Sequence, residues 1–198
     1  MAHPKIDFWY SIGSTYTYLT VMRLDGVVKS EGVTFNWCPF NVRHVMVEQN
    51  NVPFMNKPIK EAYMWRDVER RSQSYGLSPI IPAPYPAPKM VLANQIAMVA
   101  SKEGWCELYT KATYKRWFEH GEAPGDKQNL DNSLLAAGQD KDRVIELATS
   151  QEIISRLEQA TQHAIDLGVF GSPSFVIDGE VFWGDDRLTD AIGWVKQT

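Results

Sequence analysis

Apolar positions change their spacing several times along the chain, and each spacing predicts one kind of element. An uninterrupted apolar and aromatic run at residues 6–10 predicts a short buried strand. Apolar residues then recur at helical intervals up to Gly32 and predict a helix that begins near Ser14. Residues 33–37 alternate between apolar and polar side chains and predict a second strand, which Pro39 should end. This order predicts a βαβ unit with parallel strands.

The middle of the chain shows helical spacing and no convincing strand pattern. Helices are predicted over residues 58–75, 90–102, 105–120, 130–137 and 141–149. A loop separates the first two, because five of the eleven prolines fall within residues 79–88. The helix at 105–120 is rich in aromatic residues, namely Trp105, Tyr109, Tyr114, Trp117 and Phe118. These side chains fit either core packing or the wall of a substrate pocket.

The last part of the chain combines a long helix, a hairpin and a final helix. Ser150 is a candidate N-cap for a helix that ends at Gly168. Asp178-Gly179 lies between two short apolar runs, 174–177 and 181–183, and predicts a β-hairpin. Pro173 precedes the first of these strands, where a cis peptide bond is possible.

These elements, taken in order, predict an α/β protein with a thioredoxin-like fold and an inserted all-helical domain. Residues 1–42 would form the first part of the thioredoxin-like domain as a βαβ unit. Residues 43–150 would form the helical insertion, and residues 151–198 would return to the first domain with a helix, a β-hairpin and a helix.

Composition narrows the classes of partner. The 198 residues are 44% hydrophobic, and the formal net charge is -4 with scattered Lys and Arg, so neither nucleic acid nor a membrane is expected as a partner. We find no secretory signal pattern and no apolar run of about 18 residues, and we expect a soluble cytoplasmic protein. Histidines lack metal-ligand spacing, so no metal is expected.

The two cysteines do not form a redox motif. Cys38 and Cys106 lie far apart, and neither belongs to a Cys-x-x-Cys pair. We expect both to be small buried apolar residues rather than a disulfide or a catalytic thiol.

Two short stretches carry candidate binding chemistry. Ser172 precedes Pro173 at the start of a strand, where its backbone can pair with an extended, peptide-like ligand. Asp185 and Asp186 lie between the hairpin and the last helix. They could bind a ligand, or one of them could simply cap that helix.

Five segments together resemble one family of proteins. They are residues 7–19, 51–53, 60–67, 168–173 and 182–187. In this order they are similar to the signature segments of 2-hydroxychromene-2-carboxylate isomerases and kappa-class glutathione transferases. Thr15 departs from the family pattern, in which proline is usual, and Ser172 replaces an apolar residue that is often found there.

The resemblance implies glutathione as the cofactor and assigns residues to it. Ser14 would be the catalytic residue that faces the glutathione sulfur, and Ser172 with Pro173 would pair with its cysteinyl part. Asp185 and Asp186 would receive the γ-glutamyl ammonium group. Asn51 and Lys60 would lie at its glycyl and cysteinyl side. A small aromatic or unsaturated carboxylate substrate and a homodimer are also implied.

The chemistry of a thiol fits the role that the resemblance gives to Ser14. A thiol is mostly protonated at neutral pH, and a hydroxyl donor at a helix N-terminus favours the thiolate. The alternative for Ser14 is a plain N-cap, whose loss costs about 1 kcal/mol and implies no chemistry.

These residues bear on four functions. The first is a glutathione-dependent isomerase, in which the thiolate adds to a conjugated carbon and later leaves. A kappa-type glutathione transferase and a non-catalytic glutathione-binding protein remain as alternatives. A thiol-disulfide oxidoreductase is excluded on chemical grounds, because residues 14–17 read Ser-Thr-Tyr-Thr and hold no thiol.

Overall fold

One four-stranded sheet joins the beginning of the chain to its end. The computed structural model describes residues 4–51, 54 and 56–197. Strand β1 (Lys5–Tyr10) pairs in parallel with β2 (Thr34–Pro39) and antiparallel with β3 (Ser174–Ile177). Strand β4 (Glu180–Trp183) pairs antiparallel with β3, so the strand order is β2-β1-β3-β4. The parallel β1–β2 pair confirms the predicted βαβ unit.

The connection between β1 and β2 differs from the prediction of one continuous helix. It consists of α1 (Thr15–Val21) and α2 (Leu24–Glu31), with the break at Met22 and Arg23. The guanidinium of Arg23 bonds to Asp185, which is far away in the sequence. Helical spacing cannot encode such a contact, so the pattern alone gave one helix where there are two.

Strand β2 also extends further than predicted. It includes Pro39, whose register partner is Tyr10. Because β2 is an edge strand of the sheet, the missing amide hydrogen of a proline need not interrupt its pairing with β1.

Helices make up the regular structure of the described residues between β2 and residue 150. They are α3 (Val42–Glu48), α4 (Pro58–Ser74), α5 (Met90–Glu103), α6 (Cys106–His120), α7 (Lys127–Ala136) and α8 (Lys141–Ala148). Helix α3 was not predicted; the Asn41 side chain caps it by accepting a hydrogen bond from the His44 amide. Helix α7 begins three residues earlier than predicted, and the other helices agree closely. The domain boundaries near residues 42 and 150 stay predictions.

The C-terminal elements follow the sequence signals. Helix α9 (Gln151–Asp166) is capped by Ser150, whose hydroxyl accepts a hydrogen bond from the Ile153 amide. Asp178 and Gly179 form the β3–β4 turn with φ angles of 49° and 86°, as expected for an Asp-Gly hairpin. A short 3-10 turn (Asp185–Arg187) then leads into α10 (Leu188–Val195).

The aromatic side chains of α6 belong to the core. Tyr109, Trp117 and Phe118 are fully buried, and Trp105 is nearly so. Phe118 stacks on Tyr18 of α1 with ring centroids 4.2 Å apart, which joins the helical segment to the sheet domain. Core packing is therefore the correct alternative for these residues.

Candidate functional site

Ser14 lies at the junction of α1 and residues 171–173, here called the proline loop. It occupies the N-cap position of α1, as predicted, but its side chain makes no hydrogen bond to the helix amides. The Ser14 hydroxyl instead donates to the carbonyl oxygen of Ser172 at 2.6 Å. The structure thus places Ser14 beside Ser172, and the plain N-cap alternative does not describe its side chain.

Ser172 is held by its side chain as well as by its backbone. The Ser172–Pro173 peptide bond is cis, as the sequence allowed. The Ser172 hydroxyl accepts a hydrogen bond from the Ser11 amide at 2.9 Å and lies 2.8 Å from the Thr17 hydroxyl. Its backbone amide donates no hydrogen bond to any described residue. This leaves the amide available to an extended ligand.

An aromatic pair borders the proline loop. The rings of Phe170 and Trp183 have centroids 4.8 Å apart, and about half of the Trp183 surface is exposed. A Cβ at Gly171 would lie 2.2 Å from the Trp183 indole nitrogen, so only glycine allows this approach. The loop before Ser172 is therefore covered on one side by an exposed indole.

Helix α4 runs along α1, with Met64 against Thr15 at the start of α1. The Thr15 hydroxyl contacts the Met64 sulfur at 3.1 Å, and the Tyr16 hydroxyl donates to Asp67 at 3.0 Å. Lys60 is exposed and lies one helical turn before Met64. Because residues four apart share a helix face, Lys60 lies on the face that meets Thr15.

Asp185 and Asp186 have different environments. Asp185 is 2% exposed, and its carboxylate accepts hydrogen bonds from the side chains of Thr20, Arg23, Arg71 and Tyr75. Both of its oxygens are engaged, at 2.8 Å to Arg23 and 2.7 Å to Arg71. Asp186 is exposed and bonds only to the adjacent Arg187 at 3.1 Å among the described residues. Of the two carboxylates, only that of Asp186 faces solvent.

In the described part of the chain, Asn51 has no hydrogen bond to the other predicted site residues. It is exposed, and its amide donates to the Met46 carbonyl at the end of α3. Val52 and Pro53 of the same motif lie outside the described residues. The assignment of Asn51 to the glycyl side of glutathione stays a prediction.

The thiols lie away from these residues. Cys106 is buried, as expected, whereas Cys38 is only half-buried. Burial raises the pKa of each thiol to about 12. Cys106 Sγ lies 3.0 Å from the Tyr10 hydroxyl, which is a core contact.

Other features of the surface do not coincide with the predicted site. A cleft of about 520 Å³ lies between α3, α5 and α9, and no predicted site residue lines it. The described part of the chain contains no cluster of three or more His, Cys, Asp or Glu residues that could hold a metal ion. In the same residues no helix has the length and apolar character needed to cross a membrane.

Sequence reasoning missed the residues that support the site. Arg23 and Arg71 hold Asp185, and Ser11 and Thr17 hold Ser172. All four contacts join residues more than 100 positions apart. A single sequence carries no local signal for such pairs.

Comparisons with known proteins agree with the fold. A family model described as a DSBA-like thioredoxin domain matches residues 5–191. The chain is 26% identical over 185 residues to a 2-hydroxychromene-2-carboxylate isomerase from Sphingobium xenophagum, an alignment that covers 92% of this chain and 93% of the relative. The predicted α/β thioredoxin-like fold is confirmed.

Two solved structures share this fold. A structure of 2-hydroxychromene-2-carboxylate isomerase matches with a TM-score of 0.86 at 24% identity, and covers 98% of this chain and 95% of that chain. The cytosolic disulfide reductase DsbM from Pseudomonas aeruginosa, solved with GSH, matches with a TM-score of 0.61 at 12% identity, over 98% of this chain and 96% of that chain. The chain therefore belongs to the DSBA-like thioredoxin domain family and is a relative of the 2-hydroxychromene-2-carboxylate isomerases.

Proposed function

We propose that the protein is a glutathione-dependent isomerase of the 2-hydroxychromene-2-carboxylate isomerase type. Its substrate would be a small electrophilic aromatic or unsaturated carboxylate from the degradation of aromatic compounds. The observation that carries the proposal is the 2.6 Å contact between the Ser14 hydroxyl and the Ser172 carbonyl, next to cis Pro173. A hydroxyl, not a thiol, thus lies at this junction. Relatives that align over nearly the whole chain are named as isomerases.

The backbone of Ser172 would bind the cysteinyl part of glutathione. Its amide would donate to the cysteinyl carbonyl, and its carbonyl would accept from the cysteinyl amide, as in the pairing of an added strand. In the free protein that carbonyl accepts the Ser14 hydroxyl. A hydroxyl has only one proton to donate. On ligand binding, the Ser14 hydroxyl would therefore leave the Ser172 carbonyl and donate to the glutathione sulfur.

Ser14 would then stabilise a thiolate without becoming a nucleophile. Bound glutathione would supply the thiolate, which would add reversibly to a conjugated carbon of the substrate, allow rotation or ring opening, and leave again, so that glutathione is not consumed.

The two ends of glutathione would be held on either side of Ser172. The exposed carboxylate of Asp186 would receive the γ-glutamyl ammonium group. Asp185 would support it by fixing the turn, because its own carboxylate is enclosed by Arg23 and Arg71. Lys60 and Asn51 are exposed and would serve the glycyl and cysteinyl side.

A calorimetric titration with reduced glutathione, followed by an activity assay, tests the proposal. We expect binding, and we expect conversion of a hydroxychromene-type carboxylate only when glutathione is present and without its consumption. S-methylglutathione is the matched control, because it should bind but not support turnover. A folded protein that binds no glutathione would overturn the proposal.

The same assay separates the alternatives. Stoichiometric loss of glutathione into an adduct would identify a kappa-type glutathione transferase. Binding without turnover of a panel of electrophiles would identify a glutathione-binding protein. We also propose a cytoplasmic homodimer, which light scattering and cell fractionation can test.

A further inference from the structure

The loop that carries Ser14 is fixed largely by side chains of two helices, α5 and α6. This loop, residues 11–14, connects β1 to α1. Asn94 of α5 is fully buried and bonds to both backbone groups of Ile12: its Oδ1 accepts from the amide and its Nδ2 donates to the carbonyl, each at 2.8 Å. Both backbone groups of Ile12, in the middle of the loop, are thus paired with one side chain.

Tyr114 of α6 holds the two ends of the same loop. Its hydroxyl lies 2.9 Å from the Ser11 carbonyl and 3.1 Å from the Ser14 carbonyl, and donates one proton that both oxygens share. The side chain is fully buried, and burial raises the pKa of Tyr114, so the hydroxyl stays protonated. Tyr114 therefore links the backbone of Ser14, the proposed catalytic residue, to helix α6.

We propose that Tyr114 is a positioning residue that orients Ser14 toward the glutathione sulfur. It would act through the backbone of Ser14 and not through contact with the reacting atoms or glutathione. This inference rests on the proposed function, since the role of Ser14 is that of a thiolate-stabilising donor. Helices α5 and α6 would thus contribute to catalysis by holding the loop between β1 and α1.

Tyr109 offers a matched control for this role. It lies on the same helix, is also fully buried, and donates its hydroxyl to a backbone carbonyl, that of Ala93 at 3.3 Å. It has no hydrogen bond to residues 11–14 among the described residues. Tyr109→Phe and Tyr114→Phe each remove one buried hydroxyl from α6, but only the second releases Ser14.

The experiment compares wild type, Tyr114→Phe, Tyr109→Phe, Ser14→Ala and the double variant Ser14→Ala/Tyr114→Phe. Thiolate absorbance of bound glutathione, its dissociation constant and kcat are measured for each. For Tyr114→Phe we expect about a threefold loss of thiolate absorbance and kcat, with the dissociation constant nearly unchanged. Tyr109→Phe should match wild type, and the double variant should match Ser14→Ala, because Tyr114 acts through Ser14.

Three results would overturn the inference. They are unchanged thiolate absorbance in Tyr114→Phe, an equal loss in Tyr109→Phe, and a double variant whose loss is the product of the single losses. Failure of the proposed function is recognised separately, because wild type would then bind no glutathione or bind it without thiolate absorbance. The rate of amide hydrogen exchange at Ser14, measured without ligand, should increase in Tyr114→Phe but not in Tyr109→Phe. Such an increase would show that the loop at residues 11–14 has been released.

Discussion

The hydroxyl of Ser14 donates to the carbonyl oxygen of Ser172 at 2.6 Å, across 158 positions of the sequence. This bond joins the beginning of α1 to the proline loop. It also uses the one proton that the proposed mechanism assigns to the glutathione sulfur. Ligand binding and reorientation of Ser14 should therefore occur together.

Replacement of Ser14 tests its role directly. In Ser14→Ala we expect glutathione to bind with little loss of affinity, because most of its contacts would lie on Ser172, Asp186 and Lys60. The thiolate absorbance and kcat should fall about 10-fold to 100-fold, the range for one hydrogen bond to a charged group. Ultraviolet difference spectra and steady-state kinetics measure both, and unchanged thiolate absorbance would contradict the role.

Asp185 should matter for stability. Asp185→Ala would leave Arg23 and Arg71 without the carboxylate that joins them, and their side chains are only 20% and 27% exposed. We expect the free energy of unfolding to fall by at least about 2 kcal/mol. Urea denaturation measures this, with Asp186→Ala as the exposed control, which should change stability little. Equal losses in the two variants would mean that the ion pairs do not stabilise the fold.

Asp186 should matter for glutathione binding. Asp186→Asn removes the charge that would face the γ-glutamyl ammonium group, and we expect the dissociation constant to rise about tenfold. Asp190→Asn is the matched control, since both carboxylates are about half exposed and both bond to Arg187. Calorimetry compares the variants, and an equal effect of both substitutions would argue against a specific role for Asp186.

Local patterns predicted the elements, and motif order indicated the main site residues. The strand at 6–10, the Asp-Gly turn and the Ser150 cap each depend on a few neighbouring residues, so one sequence suffices to find them. The resemblance of short segments indicates the role of Ser14, and Ser172 is also indicated by its position before Pro173 at the start of a strand. Their direct contact is a tertiary feature that no segment shows.

The remaining features depend on residues that are distant in the sequence. Nothing in the pair Asp185-Asp186 tells which carboxylate turns inward, because the answer lies with Arg23 and Arg71. On the sequence, Arg71 belongs to an ordinary charged helix face. Likewise, the helical spacing around Asn94 and Tyr114 gives no sign of a contact with the Ser14 loop, and only the fold brings them there.

The cysteines provide a prediction about pH and redox chemistry. Burial holds the pKa of the Cys38 and Cys106 thiols at about 12 in the folded protein, above the usual value of about 8.5. Above about pH 8.5 the unfolded chain loses these protons while the folded chain keeps them, so the free energy of unfolding should fall as the pH rises toward 12.

Reactivity with a disulfide reagent measures the same property at constant pH. At about pH 8 we expect both thiols to react at least about a hundredfold more slowly in the native protein than in urea, because the thiolate is the reacting species. The two cysteines serve as controls for each other, since Cys106 is buried and Cys38 is half-buried. Rapid labelling of one thiol per folded chain would show a reactive cysteine and support the thiol-disulfide alternative. Slow labelling of both thiols would mean that the reacting sulfur is that of a bound thiol and not of a cysteine of the protein.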